Sequence, residues 1–70
     1  MKSDKALLSF DDLPRKSLLR PQEVADFLNV SLRTIYRWYE MGILEGTRLK
    51  GSIRIFRESV KNLIGEPQNE

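Results

Sequence analysis

The sequence has no cysteine and no histidine among its 70 residues. Disulfide bridges are therefore excluded, and so are the cysteine- and histidine-based ligand sets of most structural zinc sites. A chain this short buries only about 60% of the surface that its unfolded state exposes, so any stability beyond that of its core has to come from helix packing, self-association or a bound partner. We expect one small domain that holds neither a metal ion nor another cofactor.

Long apolar runs are also lacking. Uninterrupted apolar stretches reach at most three residues, far short of the ~20 that a membrane span needs. The first ten residues carry Lys2, Asp4 and Lys5 and do not form the apolar centre of a signal peptide. We therefore expect a cytoplasmic protein that has no membrane partner.

The residues that catalysis usually requires are scarce. Besides lacking histidine and cysteine, the chain has no glycine-rich phosphate loop, and so small a core leaves no room for a convergent site that excludes water. Asp11 and Asp12 are adjacent in a predicted loop, where two such carboxylates are usually solvated. We expect neither enzymatic activity nor a small-molecule substrate.

The net charge is only +2, but its distribution is uneven. Two acidic residues, Glu40 and Glu45, lie between positions 33 and 57, against six basic ones: Arg33, Arg37, Arg48, Lys50, Arg54 and Arg57. Such a local concentration favours contact with phosphates. Taken alone, however, this distribution of basic residues is explained equally well by a solvated surface.

The chain divides into three segments. Residues 1–17 show neither helical nor strand periodicity and predict an irregular arm, residues 18–65 form the domain, and residues 66–70 form a flexible acidic tail. The arm carries more apolar groups than a solvated tail usually does, and we expect part of it to pack on the domain or on a second copy; these groups are Leu7, Leu8, Phe10 and Leu13.

Two short helices are predicted next. Pro21 suits the first position of a helix, although Arg20 before it is a poor N-cap, and Asn29 can end the helix in a left-handed conformation. Ser31 is a good N-cap for a second helix over 32–41, which Gly42 closes. Its inward face is predicted to contain Ile35, Trp38 and Tyr39.

After Ile43 and Leu44 the sequence pattern changes from the helical period to that of β-strands. Residues 47–50 and 53–56 favour β-structure, and Lys50-Gly51-Ser52 supplies the turn chemistry of a hairpin. A last helix is predicted over 57–64, with Val60, Leu63 and Ile64 on one face. The order is helix, turn, helix, hairpin, helix.

The most specific stretch of the chain is VSLRTIYRW, from Val30 to Trp38, followed by Gly42-Ile43-Leu44. Through these residues, and from Leu18 to Ile64 as a whole, the chain resembles the excisionase-like DNA-binding domains, which belong with the MerR-type winged helix-turn-helix folds. Arg20 departs from the Ser or Thr that the family usually has, and Asn29 from its usual Gly. The resemblance implies a mainly α fold with a small β-hairpin, namely a winged helix-turn-helix.

The resemblance implies double-stranded DNA as the partner. A recognition helix in the major groove would offer Arg33 and Arg37 to guanine and Tyr36 to a phosphate or a thymine methyl group. Ser31 and Thr34 would contact phosphate at the start of that helix. The predicted wing contacts on the backbone or in the minor groove are Arg48, Lys50, Gly51 and Arg54.

Two biological roles stay open for such a sequence-specific DNA-binding protein: a recombination directionality factor beside an integrase, or a small transcription regulator. Tight binding by so small a domain favours two or more copies on DNA. The alternative function is a protein-interaction module that docks through the apolar arm. Exposed side chains of Leu7, Leu8, Phe10 and Leu13 would favour that alternative.

Overall fold

The computed structural model describes residues 10–65 of the chain. Phe10–Asp12 forms a single 3-10 turn, and the helices and strands that follow are β1 (Leu18–Leu19), α1 (Pro21–Leu28), α2 (Leu32–Glu40), β2 (Gly46–Leu49), β3 (Ser52–Phe56) and α3 (Arg57–Leu63). None of the helices in this range is long and apolar enough to cross a membrane. The element order confirms the predicted winged helix-turn-helix.

Helix α1 begins and ends as the sequence predicts. Arg20 is extended (φ −73°, ψ 146°), the conformation that a following proline favours. The carboxylate of Glu23 accepts the backbone N–H of Arg20 at 2.8 Å, which satisfies one donor at the helix start. Asn29 closes the helix with a left-handed φ of 59°.

Helix α2 follows after a tight turn. Ser31 Oγ accepts the backbone N–H of Thr34 at 3.2 Å, so the predicted N-cap is confirmed. The helix ends at Glu40, one residue earlier than predicted, and Gly42 follows with a φ of 81°. Ile35 is fully buried while Trp38 and Tyr39 are half-buried against the core, as their helical spacing predicts.

The hairpin is displaced by one residue from the predicted strands. Lys50 and Gly51 are both left-handed, with φ of 49° and 84°, and together they form the two-residue turn. This is the geometry of a type I′ turn, whose twist matches that of the strands. Lys50 is therefore a turn residue and not the end of β2, and Ser52 is the first residue of β3.

A third strand, β1, was not predicted. It pairs antiparallel with β3, with Leu18 opposite Phe56 and Leu19 opposite Ile55, which gives the sheet order β1-β3-β2. Two residues are too few to show an alternating pattern in the sequence. The strand fixes the entry to α1 against the base of the hairpin.

The core includes a residue from the predicted arm. Leu13 is 1% exposed, and it is buried together with Leu19, Val24, Ala25, Ile35, Leu44, Ile55 and Val60. On α3, Val60 is buried, but Leu63 is 36% exposed and Ile64 half-buried, so the predicted apolar face is only partly covered. Leu7 and Leu8 lie outside the described residues, and so does the predicted tail.

Arg57 holds the arm in place. Its Nε donates to the carbonyl of Pro14 at 2.8 Å and its Nη2 donates to that of Phe10 at 3.2 Å. The guanidinium also lies 3.8 Å from the centre of the Phe10 ring, a cation–π distance. Arg57 is one of the six basic residues counted between positions 33 and 57, and its guanidinium group is engaged within the fold.

Candidate nucleic-acid interface

The outer face of α2 presents two arginines one turn apart. Arg33 and Arg37 are both exposed, because burial of Ile35 turns their side of the helix to solvent. Within residues 10–65 neither side chain forms an ion pair or a hydrogen bond, and pairing of either with Glu40 is not observed. Both guanidinium groups are available to an external partner.

Ser31 and Thr34 have a structural role at the start of α2. Their hydroxyl oxygens are 2.9 Å apart, and Ser31 Oγ also accepts the Thr34 backbone N–H. A hydroxyl has one donor and two acceptor positions, so capping does not exhaust the capacity of either. Contact of these two residues with DNA phosphate stays a prediction.

The wing carries its basic residues on both strands and at its tip. Arg48 on β2 lies opposite Ile53, Arg54 on β3 lies opposite Thr47, and Lys50 is exposed in the turn. Arg54 Nη1 donates to the carbonyl of Ile53 at 2.9 Å, which directs its guanidinium along its own strand. The wing therefore presents three cations, two from its strands and one from its turn.

Gly46 allows the two strands of the wing to lie close together. A Cβ atom at this position would overlap the carbonyl oxygen of Arg54. Gly51 has a different role, since a Cβ there would meet nothing within 4 Å, and its φ of 84° is what requires glycine. Gly51 was predicted to permit close approach of the backbone to DNA, and its exposed place in the turn is compatible with that role.

A concave surface, here called the wing groove, lies between the start of α1, α2 and the wing. It encloses about 420 Å³ and is lined by Arg20, Pro21, Gln22, Leu32, Tyr36, Arg48, Gly51, Ser52, Ile53 and Arg54. Four predicted site residues thus share it: Tyr36, Arg48, Gly51 and Arg54. The other five are not part of its lining: Ser31, Arg33, Thr34, Arg37 and Lys50.

The wing groove is distinguished by its charge. Its lining contains three arginines and no carboxylate. Three other concave regions within residues 10–65 each include at least one glutamate or aspartate. A polyanion would therefore meet attraction without opposing carboxylates in the wing groove.

Glu23, close to the groove but outside its lining, has an altered acidity. The backbone N–H of Arg20 holds the pKa of this carboxyl below its ordinary value, against the opposing effect of partial burial. The Lys16 ammonium, 3.0 Å away, acts in the same direction. Glu23 is therefore ionised at neutral pH and serves the start of α1.

Arg20 and Leu32 line the wing groove but were not among the predicted site residues. For Leu32 the sequence contains no signal, since an exposed leucine at the start of a helix is ordinary. For Arg20 a signal exists, because arginine is a poor N-cap residue.

Residues 18–66 match the model of a protein family described as a helix-turn-helix domain. The match includes β1 to β3 and α1 to α3 and leaves the arm outside. A search of curated proteins found no match.

Proposed function

The chain belongs to a helix-turn-helix family of excisionase-like small DNA-binding domains, and we propose that it is a sequence-specific double-stranded DNA-binding protein. The observation that carries this proposal is the basic surface formed by the outer face of α2 and the wing groove. Its arginines on α2 are unpaired within residues 10–65, and the groove lining contains no carboxylate. The proposed function is DNA binding and not catalysis.

Helix α2 is the proposed recognition helix in the major groove. Arg33 and Arg37 pair with guanine edges, each good bidentate contact contributing about 1–3 kcal/mol of discrimination. Ser31 and Thr34 contact a phosphate at the start of the helix, where the positive end of the helix dipole assists them. Tyr36 is 40% exposed and lines the wing groove. It contributes its hydroxyl group to a phosphate or its ring to a thymine methyl group.

The wing lies along the phosphate backbone and the neighbouring minor groove. Arg48, Lys50 and Arg54 neutralise phosphates there. Gly51 at the tip has no side chain and allows the DNA backbone to approach closely. With about five phosphates contacted in all, the logarithm of the binding constant should fall with that of the salt concentration at a slope of ~4–5.

Two biological roles are compatible with the proposed DNA contact. As a recombination directionality factor the protein would act beside an integrase, and as a transcription regulator it would act alone or with a second copy of itself. One domain of this size makes a small interface, so we propose that several copies bind repeated or palindromic sites. Either role is exercised on DNA in the cytoplasm.

Docking through the arm has lost part of its support as the alternative function. Leu13 is buried in the core and Phe10 is half-buried beneath Arg57, so these two side chains are used within the fold. Leu13 therefore offers no exposed surface to a partner, and Phe10 offers only part of its ring.

The direct test is a fluorescence-anisotropy titration with a random-sequence duplex at ~50 and ~200 mM salt, where several phosphate contacts change affinity by orders of magnitude. We expect steep weakening with salt, and loss of binding in an Arg33→Ala/Arg37→Ala variant that stays folded. Arg15→Ala is the control, since its side chain is 77% exposed on the arm, outside this surface. Selection from a random duplex pool should then enrich one sequence motif.

Absence of binding at ~50 mM salt, where phosphate contacts are strong, would overturn the proposal. Equal weakening by Arg15→Ala and by the α2 substitutions would also contradict it, because binding would then depend on net charge alone.

A further inference from the structure

We propose that Arg20 is a further DNA-binding residue, which holds a backbone phosphate in the wing groove and does so in place of capping α1. This inference rests on the proposed function and adds to it a contact outside both the recognition helix and the wing. It also assigns a cost in stability to that contact.

The first observation is what Arg20 fails to do for the helix that it precedes. The N-cap side chain of a helix normally accepts a backbone N–H from the first turn, but a guanidinium group has no acceptor. No side-chain cap bond is present at Arg20. At the start of α2 in the same chain, Ser31 makes that bond.

The second observation is that nothing in the described structure otherwise engages the Arg20 side chain. Among residues 10–65 it forms no hydrogen bond and no ion pair; only its backbone N–H is bonded, to Glu23. Its charge contributes only the smallest of the effects that lower the pKa of Glu23. Local structure therefore does not explain an arginine here.

The third observation is the surface that Arg20 lines. The wing groove takes one arginine from each of three elements: Arg20 from the start of α1, Arg48 from β2 and Arg54 from β3. Guanidinium groups bind phosphate oxygens through paired N–H donors, and the groove lining offers no carboxylate to compete. A phosphodiester is the anion that these side chains fit.

The geometry also indicates backbone contact and not base contact for Arg20. The wing groove lies between α2 and the wing. Because α2 is proposed to contact the major groove and the wing the neighbouring minor groove, the DNA backbone between these two DNA grooves would pass along the wing groove. A phosphate contact fixes the register of the protein on the duplex and carries no sequence information. Loss of Arg20 should therefore weaken binding to all sequences by a similar factor.

Substitution Arg20→Ser separates this proposal from a structural role, because it moves stability and affinity in opposite directions. Serine would complete a capping box with Glu23, and we expect Tm to rise by about 4–8 °C. Duplex affinity should fall about tenfold, and the salt slope should decrease by ~0.9, the value for one phosphate. Arg20→Lys should retain the slope, because it retains the charge.

The control is Arg15→Ser, which removes the same charge from an exposed site on the arm and should leave both Tm and salt slope unchanged. All affinities are measured by anisotropy on the full chain with the same random duplex, at a temperature where each variant is folded.

The outcomes are distinct. Wild-type affinity and slope in Arg20→Ser would overturn the inference while leaving DNA binding intact, provided that Arg33→Ala/Arg37→Ala still abolishes it. Lower affinity with an unchanged salt slope in Arg20→Ser would also overturn the inference, since no phosphate contact would then have been lost. If the wild type fails to bind duplex at ~50 mM salt, where phosphate contacts are strongest, the proposed function and this inference fail together.

Discussion

Glu23 stabilises the start of α1, where the side chain of Arg20 makes no capping bond. Its carboxylate accepts the Arg20 N–H at 2.8 Å and lies 3.0 Å from the Lys16 ammonium. Both contacts favour the ionised form and hold the pKa of Glu23 below its ordinary value of 4.5. A carboxyl with a lowered pKa stabilises the fold fully above its unfolded-state pKa, and that contribution disappears as the pH falls through the folded-state pKa.

Glu23→Gln keeps an acceptor at the start of α1 but removes the charge. We expect the variant to be less stable than wild type by about 0.3–1 kcal/mol at pH 7, the range for a charge near a helix terminus. The difference should be constant above about pH 5 and should shrink below the ordinary glutamate pKa. Urea unfolding from pH 7 to pH 3 measures it.

A stability difference between Glu23→Gln and wild type that is independent of pH would contradict this account. Glu58→Gln serves as the matched control, because Glu58 is exposed in the first turn of α3. Its pH profile shows what the removal of an ordinary surface charge does near a helix start.

At the scale of elements, the arm and α3 form one unit through Arg57. The guanidinium group satisfies carbonyls of Phe10 and Pro14, and the Arg57 backbone N–H donates to the carbonyl of Ser17 at 2.9 Å. Leu13, between these bonded carbonyls, is buried in the core. The arm is thereby held on the domain by polar contacts around an apolar anchor.

Arg57→Met keeps the apolar stem and removes these donors. We expect unfolding free energy to fall by about 1.5–3 kcal/mol, the range for hydrogen bonds to a charged group. Duplex affinity below the unfolding transition should be nearly unchanged, because the guanidinium faces the arm. Urea unfolding and anisotropy titration measure the two quantities.

Arg48→Met provides the opposite pattern, with reduced affinity and almost unchanged stability, because Arg48 is exposed and forms no ion pair within residues 10–65. If Arg57→Met weakened DNA binding as much as Arg48→Met does, the assignment of Arg57 to the arm would be wrong.

The helices and the hairpin could be predicted because their signals are local. Pro21, Asn29, Ser31 and Gly42 each act within a turn of their own position, and the Lys50-Gly51 turn needs only its two flanking strands. The exposure of Arg33 and Arg37 on the outer face of α2 followed from the same helical spacing.

What could not be predicted depends on partners distant in the sequence. The bond from Arg57 to the Phe10 carbonyl spans 47 residues, and β1 exists only because β3 is beside it. Arg20 likewise joins the groove only when the hairpin folds back towards α1. No short-range pattern contains these pairings.

At the scale of the whole molecule, the small size of the domain makes its Tm sensitive to any ligand of the folded state. A ligand that binds only the folded chain stabilises it by about 2.7 kcal/mol at a hundred times its Kd. For a domain of this size that corresponds to a Tm increase of roughly 10–20 °C. The proposed DNA contact should thus be visible by thermal unfolding alone.

We expect saturating duplex to raise the Tm of the wild type at ~50 mM salt, and the increase to disappear as salt weakens phosphate contacts. Differential scanning fluorimetry with and without duplex measures it. The Arg33→Ala/Arg37→Ala variant should show almost no increase. A rise in Tm that persists unchanged at high salt would indicate a contact other than the basic surface.

The bonds between Arg57 and the arm join residues 43 and 47 positions apart, whereas α1, α2 and the hairpin are each closed by neighbours in the sequence. Closing a long loop costs more entropy than closing a short one, so we expect the arm to dock late in folding. During synthesis Leu13 emerges from the ribosome 44 positions before Arg57, whose side chain bonds the Leu13 carbonyl. We therefore expect Leu13 to stay exposed to solvent in the nascent chain until Arg57 and the rest of the core have emerged.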